Sequence, residues 1–146
     1  YMDTNCKNNA KGEVVELMTH SAVDLGCYAY LKDINRLEYL AKNDPDFERG
    51  FAIILTNEPL YYRDTGRSSV YDAFKIYDGK TVSGMLDWDR SNYDLEKLPS
   101  WLKSHPAFGL AGSYDMNWRN YGSVLQSLDD SADCTQFKYQ IAVVEK

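Results

Sequence analysis

The sequence has no apolar run near the about 18–20 residues that a membrane-spanning helix needs. It has no charged–apolar–small opening of the signal-peptide kind. Only three cysteines occur, Cys6, Cys27 and Cys134, at spacings that suit neither a CxxC pair nor a zinc site. Their scatter and odd number point to reduced thiols in the cytoplasm, with Cys27 as a small core residue. The two histidines, His20 and His105, lie far apart, and Pro106 biases His105 to extended backbone. No phosphate loop, GxSxG, HExxH or Rossmann glycine set is present. Basic charge is not in excess either. The net charge of −6 gives no bulk nucleic-acid footprint, although a local basic patch can sit on an acidic chain.

What remains is an ordinary globular composition, 44% hydrophobic and 26% charged over 146 residues, which predicts one domain able to bury a core. Residues 1–12 are polar and rich in Asn and Lys, a loop pattern, and "EVVELMTH" reads as a short strand. From Ser21, an N-cap candidate with Asp24 in the first turn, the periodicity is helical to about Asn43. Val23, Cys27, Tyr30, Leu31, Ile34, Leu37 and Ala41 share the core face. Pro45 ends the helix.

"FAIILT" (51–56) is a continuous apolar run, which predicts a central strand buried on both faces. Two strand-like runs flank Asp78-Gly79, a hairpin signal, and Gly84 marks a bulge. "LEKLPSWLK" suits a short helix. "FGLAGSYDMNW" places Phe108, Leu110, Gly112, Tyr114, Met116 and Trp118 on one face. "FKYQIAVVE" does the same for Phe137, Tyr139, Ile141 and Val143, and the two segments are expected to pair antiparallel across a polar loop. The predicted fold class is α+β, one long helix packed on a mixed, mostly antiparallel sheet.

Two features could carry function. On the helix, steps of four align Asp24, Tyr28 and Lys32, flanked by Asn35 and Tyr39. This row is either a solvated face with ordinary i,i+4 contacts or a row of side chains lent to a cleft. The second feature is aromatic content, 14% with twelve tyrosines. Tyr61, Tyr62, Trp88, Tyr93, Trp101, Trp118 and Tyr121 lie in or beside predicted loops, where rings either stack on bases and sugars or fill a small core from its edges. Lys7, Lys11, Lys32, Arg36, Arg63, Arg67, Arg90 and Arg119 are the candidate phosphate contacts.

The segments "AVDLGCYAYLKDINRLEYL", "GFAIILTNEPLYY", "FGLAGSYDMNWRNYG" and "FKYQIAVVEK" resemble a group of bacterial proteins in the PD-(D/E)xK nuclease-like superfamily. In that group a segment ending in ELKY precedes a helix of the type DLGRYDFLKDIxRLE. A strand like GYAILLTND follows, then segments like YxLxWxxYS and FRYLLV. The resemblance runs from Ala22 through nearly the whole chain, and its helix and LTN motifs are the more specific ones. It implies metal-dependent hydrolysis of a phosphodiester, with Mg²⁺ and a nucleic-acid partner.

The superfamily's metal-binding Asp and its Glu-x-Lys have no match here. Tyr1 resembles the tyrosine that follows ELK, so the resemblance implies a domain trimmed at its N-terminus, with no catalytic residue or metal ligand in this chain. Asp24-x-x-x-Tyr28 has the spacing of the superfamily's cleft-facing QxxxY motif, with Asp in place of Gln. Asp24, Tyr28, Lys32 and Asn35 are therefore the cleft-facing candidates. A vacant sheet position would leave an edge that invites a homodimer. The alternatives are a non-catalytic module that keeps the fold for binding and, further off, an aromatic-rimmed carbohydrate binder.

Overall fold

A computed structural model describes residues 22–123 and 136–146. The expected N-terminal loop, the "EVVELMTH" strand and the Ser21 cap lie outside the described residues, as do Cys6, Cys134, His20, Lys7 and Lys11. The chain is α+β, as predicted. Among the described residues no helix is long and apolar enough to cross a membrane.

Helix α1 spans Val23–Asn43, with Asp24 in its first turn and Lys42 in its last, both favourable to the helix dipole. Its N-cap position is Ala22, which has no side-chain acceptor. Asp44 turns extended before Pro45 and its N–H returns to the Leu40 carbonyl, so the helix ends where the proline requires. Cys27, Tyr30, Leu31 and Ile34 are buried, with Val23, Leu37 and Ala41 packed against them, so the predicted core face is the observed one.

Strand β1 (Arg49–Thr56) is followed by the single-turn α2 (Pro59–Tyr62), β2 (Thr81–Leu86), the short α3 (Ser100–Ser104), β3 (Phe108–Asp115), β4 (Arg119–Ser123) and β5 (Gln136–Glu145). One antiparallel sheet has the order β1-β5-β4, and β2 pairs with β3 in a second. Helix α1 touches β1, β5 and β3, so it lies between the sheets and joins them. Phe74, Ile76, Leu102 and Met116 complete the core around it.

Three expectations are corrected. Strand β1 is not central in the described sheet, and it is not buried on both faces. Ala52 and Thr56 point inward, whereas Phe51, Ile53 and Leu55 are 48–64% exposed. The inner face is covered by α1, which comes close because the facing residues are small: Gly50 and Ala52 on β1, Ala142 on β5. Second, Asp78-Gly79 makes a turn but not a hairpin. The run before it forms a 3-10 turn, Asp72–Phe74, that anchors Phe74 in the core. Gly79, at φ 81°, donates to the Met116 carbonyl, and Asp78 accepts the Trp118 N–H at 2.9 Å. The turn is thus clamped to the β3–β4 link. Third, β3 and β5 do not pair. Strand β5 takes β1 and β4 as neighbours, and β4 arises within the stretch read as polar loop. Gln140, 1% exposed on the inner face of β5, reaches instead to the β3–β4 link, where it accepts the Asn117 N–H and donates to the Asp115 carbonyl.

Candidate functional site

The polar row of α1 meets β3 and the segment leading to it. Tyr28 is 6% exposed, and its hydroxyl donates to the Pro106 carbonyl at 2.9 Å. Its ring stacks on Trp88 with centroids 5.5 Å apart and meets Phe74, His105 and Phe108 edge-on at 5.0–5.3 Å. Burial raises its phenol above the ordinary value. Lys32 donates to the Asn35 side-chain oxygen at 2.9 Å and lies 4.5 Å above the Phe108 ring. Asn35 in turn donates to the Gly109 carbonyl at 2.9 Å. Asp24 stands apart at the first turn, where one carboxylate oxygen accepts the Leu25 N–H. Tyr28, Lys32 and Asn35 are therefore brought together along a seam with β3, and Asp24 is not part of it. Tyr39 is 67% exposed.

Glu38 is the residue of this seam that sequence reasoning missed. Where β2 and β3 slip out of register, Ser83 pairs with Ser113 and Gly84 with Leu110, so Ala111 and Gly112 have no β2 partner. The bulge at Gly84 was expected, and its φ of 70° requires glycine. The Glu38 carboxylate accepts both stranded amides, Ala111 N–H at 2.9 Å and Gly112 N–H at 2.7 Å, and the Tyr114 hydroxyl at 2.7 Å. Burial, and then the carboxylate beside it, push the Tyr114 phenol upward. A step of three from Asn35, rather than four, would have reached Glu38 from the sequence.

The aromatic candidates divide by burial. Tyr61, Tyr62, Trp88 and Trp118 are buried. Trp88 donates its ring N–H to the His105 carbonyl, and Trp118 donates to the Ile76 carbonyl. Trp101 meets Trp88 edge-on at 5.3 Å, and Tyr93 meets Trp101 at 6.5 Å. Tyr93, Trp101 and Trp88 thus meet edge to face in a row, and Tyr62 lies tilted against Trp118 with centroids 5.7 Å apart. Tyr121 differs, at 71% exposed. Among the basic candidates, Arg36 pairs with Asp33 at 2.6 Å and Arg90 with Asp87 at 3.0 Å. No three His, Cys, Asp or Glu side chains converge among the described residues as a metal ion would need.

The outer face of the β1-β5-β4 sheet is unusually apolar for an exposed surface. The register sets Phe51 beside Val143, Ile53 beside Ile141 and Leu55 beside Tyr139. Tyr121 adds a ring 6.4 Å from Tyr139. Phe51, Ile53, Leu55, Tyr121, Ile141 and Val143 are all 41–71% exposed. A shallow depression of about 430 Å³ opens between Ile53, Leu55, Asn120, Tyr121, Tyr139 and Ile141. The cross-strand pair Arg49–Glu145, at 2.6 Å, closes one end of the face, and Arg119, in register with Tyr139, borders the Leu55/Tyr139 row on the β4 side. The alternation of Phe137, Tyr139, Ile141 and Val143 was legible, but the direction in which that face points was not.

No protein-family model, curated protein or solved structure matches the chain.

Proposed function

We propose that this chain is a non-catalytic interaction module that works by docking its outer sheet face onto an apolar protein surface. The apolar face of β1, β5 and β4 carries this reading, because exposed contiguous apolar surface with a charged border is the usual form of a protein-interaction site. The free, buried thiol of Cys27, pushed up to about 12 by burial, suits a packing role in a reducing, cytoplasmic setting.

The nuclease reading is a second proposal, favoured by the Asp24-x-x-x-Tyr28 spacing and confined to a longer chain that adds the metal-binding strand. The described residues do not fit a Mg²⁺ ion: no three His, Cys, Asp or Glu side chains converge among them, and Tyr28, Lys32 and Asn35 are engaged with β3 and its approach. We therefore assign no hydrolytic step to them. Incubating the chain with Mg²⁺ and single- or double-stranded DNA and RNA is expected to yield no cleavage. Cleavage that disappears in Tyr28→Phe would reverse the order of the two proposals.

A further inference from the structure

We propose that the occupant of the outer sheet face is a second copy of this chain, stacked face to face as a two-fold sandwich; this rests on the docking reading above. Three observations carry it. The first is size. Six large side chains that are 41–71% exposed leave on the order of 500 Å² of apolar surface per copy, taking about 150–250 Å² for a fully buried aromatic side chain and about 60–120 Å² for a fully buried Val, Leu or Ile. Two copies together would bury on the order of 1,000 Å², about the size that a specific interface has to reach.

The second is anatomy. The rows Phe51/Val143 and Ile53/Ile141 carry no charge, while Arg49–Glu145 borders them at one end and Arg119 flanks the Leu55/Tyr139 row on the β4 side. An apolar centre inside a charged border is the pattern of a homodimer interface, and the Ile53/Ile141 row at the middle carries no polar side chain.

The third is self-complementarity. A two-fold axis across the strands through the Ile53/Ile141 row sets the Phe51/Val143 row of each copy over the Leu55/Tyr139 row of the other. The depression beside Leu55 and Tyr139 then receives the partner's projecting Phe51 ring, and no charged row meets itself. Two sheets stack in this way about 10 Å apart in β-sandwiches. Edge-to-edge pairing, in contrast, would add hydrogen bonds along β1 but leave this face uncovered.

Sedimentation equilibrium on the full chain, wild type beside Ile53→Lys and Phe51→Lys, tests the proposal. The wild type is expected to be a dimer at micromolar concentration. Each variant, which places two like charges in the interface, is expected to weaken association by roughly a hundredfold or more with an unchanged circular dichroism spectrum. Ile53→Val keeps the apolar surface and is expected to remain dimeric, which separates a folding defect from a lost contact. A dimer that ignores both lysine variants would overturn the proposal and the docking reading together. A monomeric wild type that binds an apolar dye, with the signal lost in Ile53→Lys, would overturn self-pairing alone and leave docking to another protein. A monomer that binds no dye and melts lower as Ile53→Lys would overturn both, with the face covered by residues of the same chain.

Discussion

One carboxylate does the work of a strand at the seam between α1 and β3. Glu38 accepts two backbone amides that the register slip takes away from β2, together with the Tyr114 hydroxyl. The Ala111 bond is exposed, but the Gly112 and Tyr114 donors are half-buried, where a lost partner is costly, and bonds to a charged acceptor are worth about 1.5–3 kcal/mol each in favourable cases. Glu38→Ala is therefore expected to lower stability by about 2–3 kcal/mol in urea unfolding with an unchanged m-value. Glu38→Gln keeps one acceptor oxygen and is expected to cost less. A loss below about 0.5 kcal/mol for the alanine, the range of an ordinary surface change, would mean that water replaces the carboxylate without penalty. The same scale explains why the polar row read ambiguously. Tyr28, Lys32 and Asn35 have the types and spacing of either a solvated stripe or a cleft wall. In the fold each one bonds or stacks against residues 74–80 positions away, Phe108, Gly109 or Pro106, and no local pattern reports a contact at that sequence separation.

Elements whose signals are local were legible. The core stripe of α1, its stop before Pro45, the bulge at Gly84 and the short helix at Ser100–Ser104 depend on residues within a few positions of each other. Strand partners were not legible, because pairing is chosen by long-range burial: the same alternation on β3 and β5 serves a face turned into the core in one and a face turned outward in the other. Contact between elements also explains a glycine that propensity alone would disfavour. Gly26 lies inside α1, where glycine costs about 1 kcal/mol relative to alanine. A Cβ there would stand 2.0 Å from the Tyr61 hydroxyl oxygen and 2.9 Å from the ring carbon bearing it, and that ring, on α2, is 6% exposed. Gly26→Ala should therefore destabilise, by about 1–3 kcal/mol, despite better helix propensity. Adding Tyr61→Phe removes the nearer atom and is expected to recover part of the loss but not all of it. A thermal melt in which Gly26→Ala is more stable than wild type would show that α2 moves aside at no cost.

At the scale of the whole molecule, the chain divides its apolar residues unusually. Gly50, Ala52 and Ala142 on the inner face of the β1-β5-β4 sheet admit α1 beside Ile54 and Val144, while Phe51, Ile53, Leu55, Ile141 and Val143 point outward. A continuous apolar strand predicts two covered faces, and within the described residues only one is covered. The rule was sound about what such a strand requires; the second layer is what the described residues do not supply. If another copy supplies it, folding and association are linked by mass action, and unfolding must also separate the copies. The melting temperature of the wild type is then expected to rise by about 1–3 °C for each tenfold increase in protein concentration. The Ile53→Lys chain, monomeric over the same range, is expected to melt at a temperature independent of concentration. Its midpoint should approach that of the wild type as the wild type is diluted, because the substitution removes an intermolecular contact and leaves the α1-side core of Leu31, Ile34 and Ala52 untouched. Calorimetric scans of both chains across two decades of concentration separate the cases. A wild-type midpoint that does not move, with the Ile53→Lys midpoint well below it at every concentration, would place the covering layer within one chain and remove the dimer from the account.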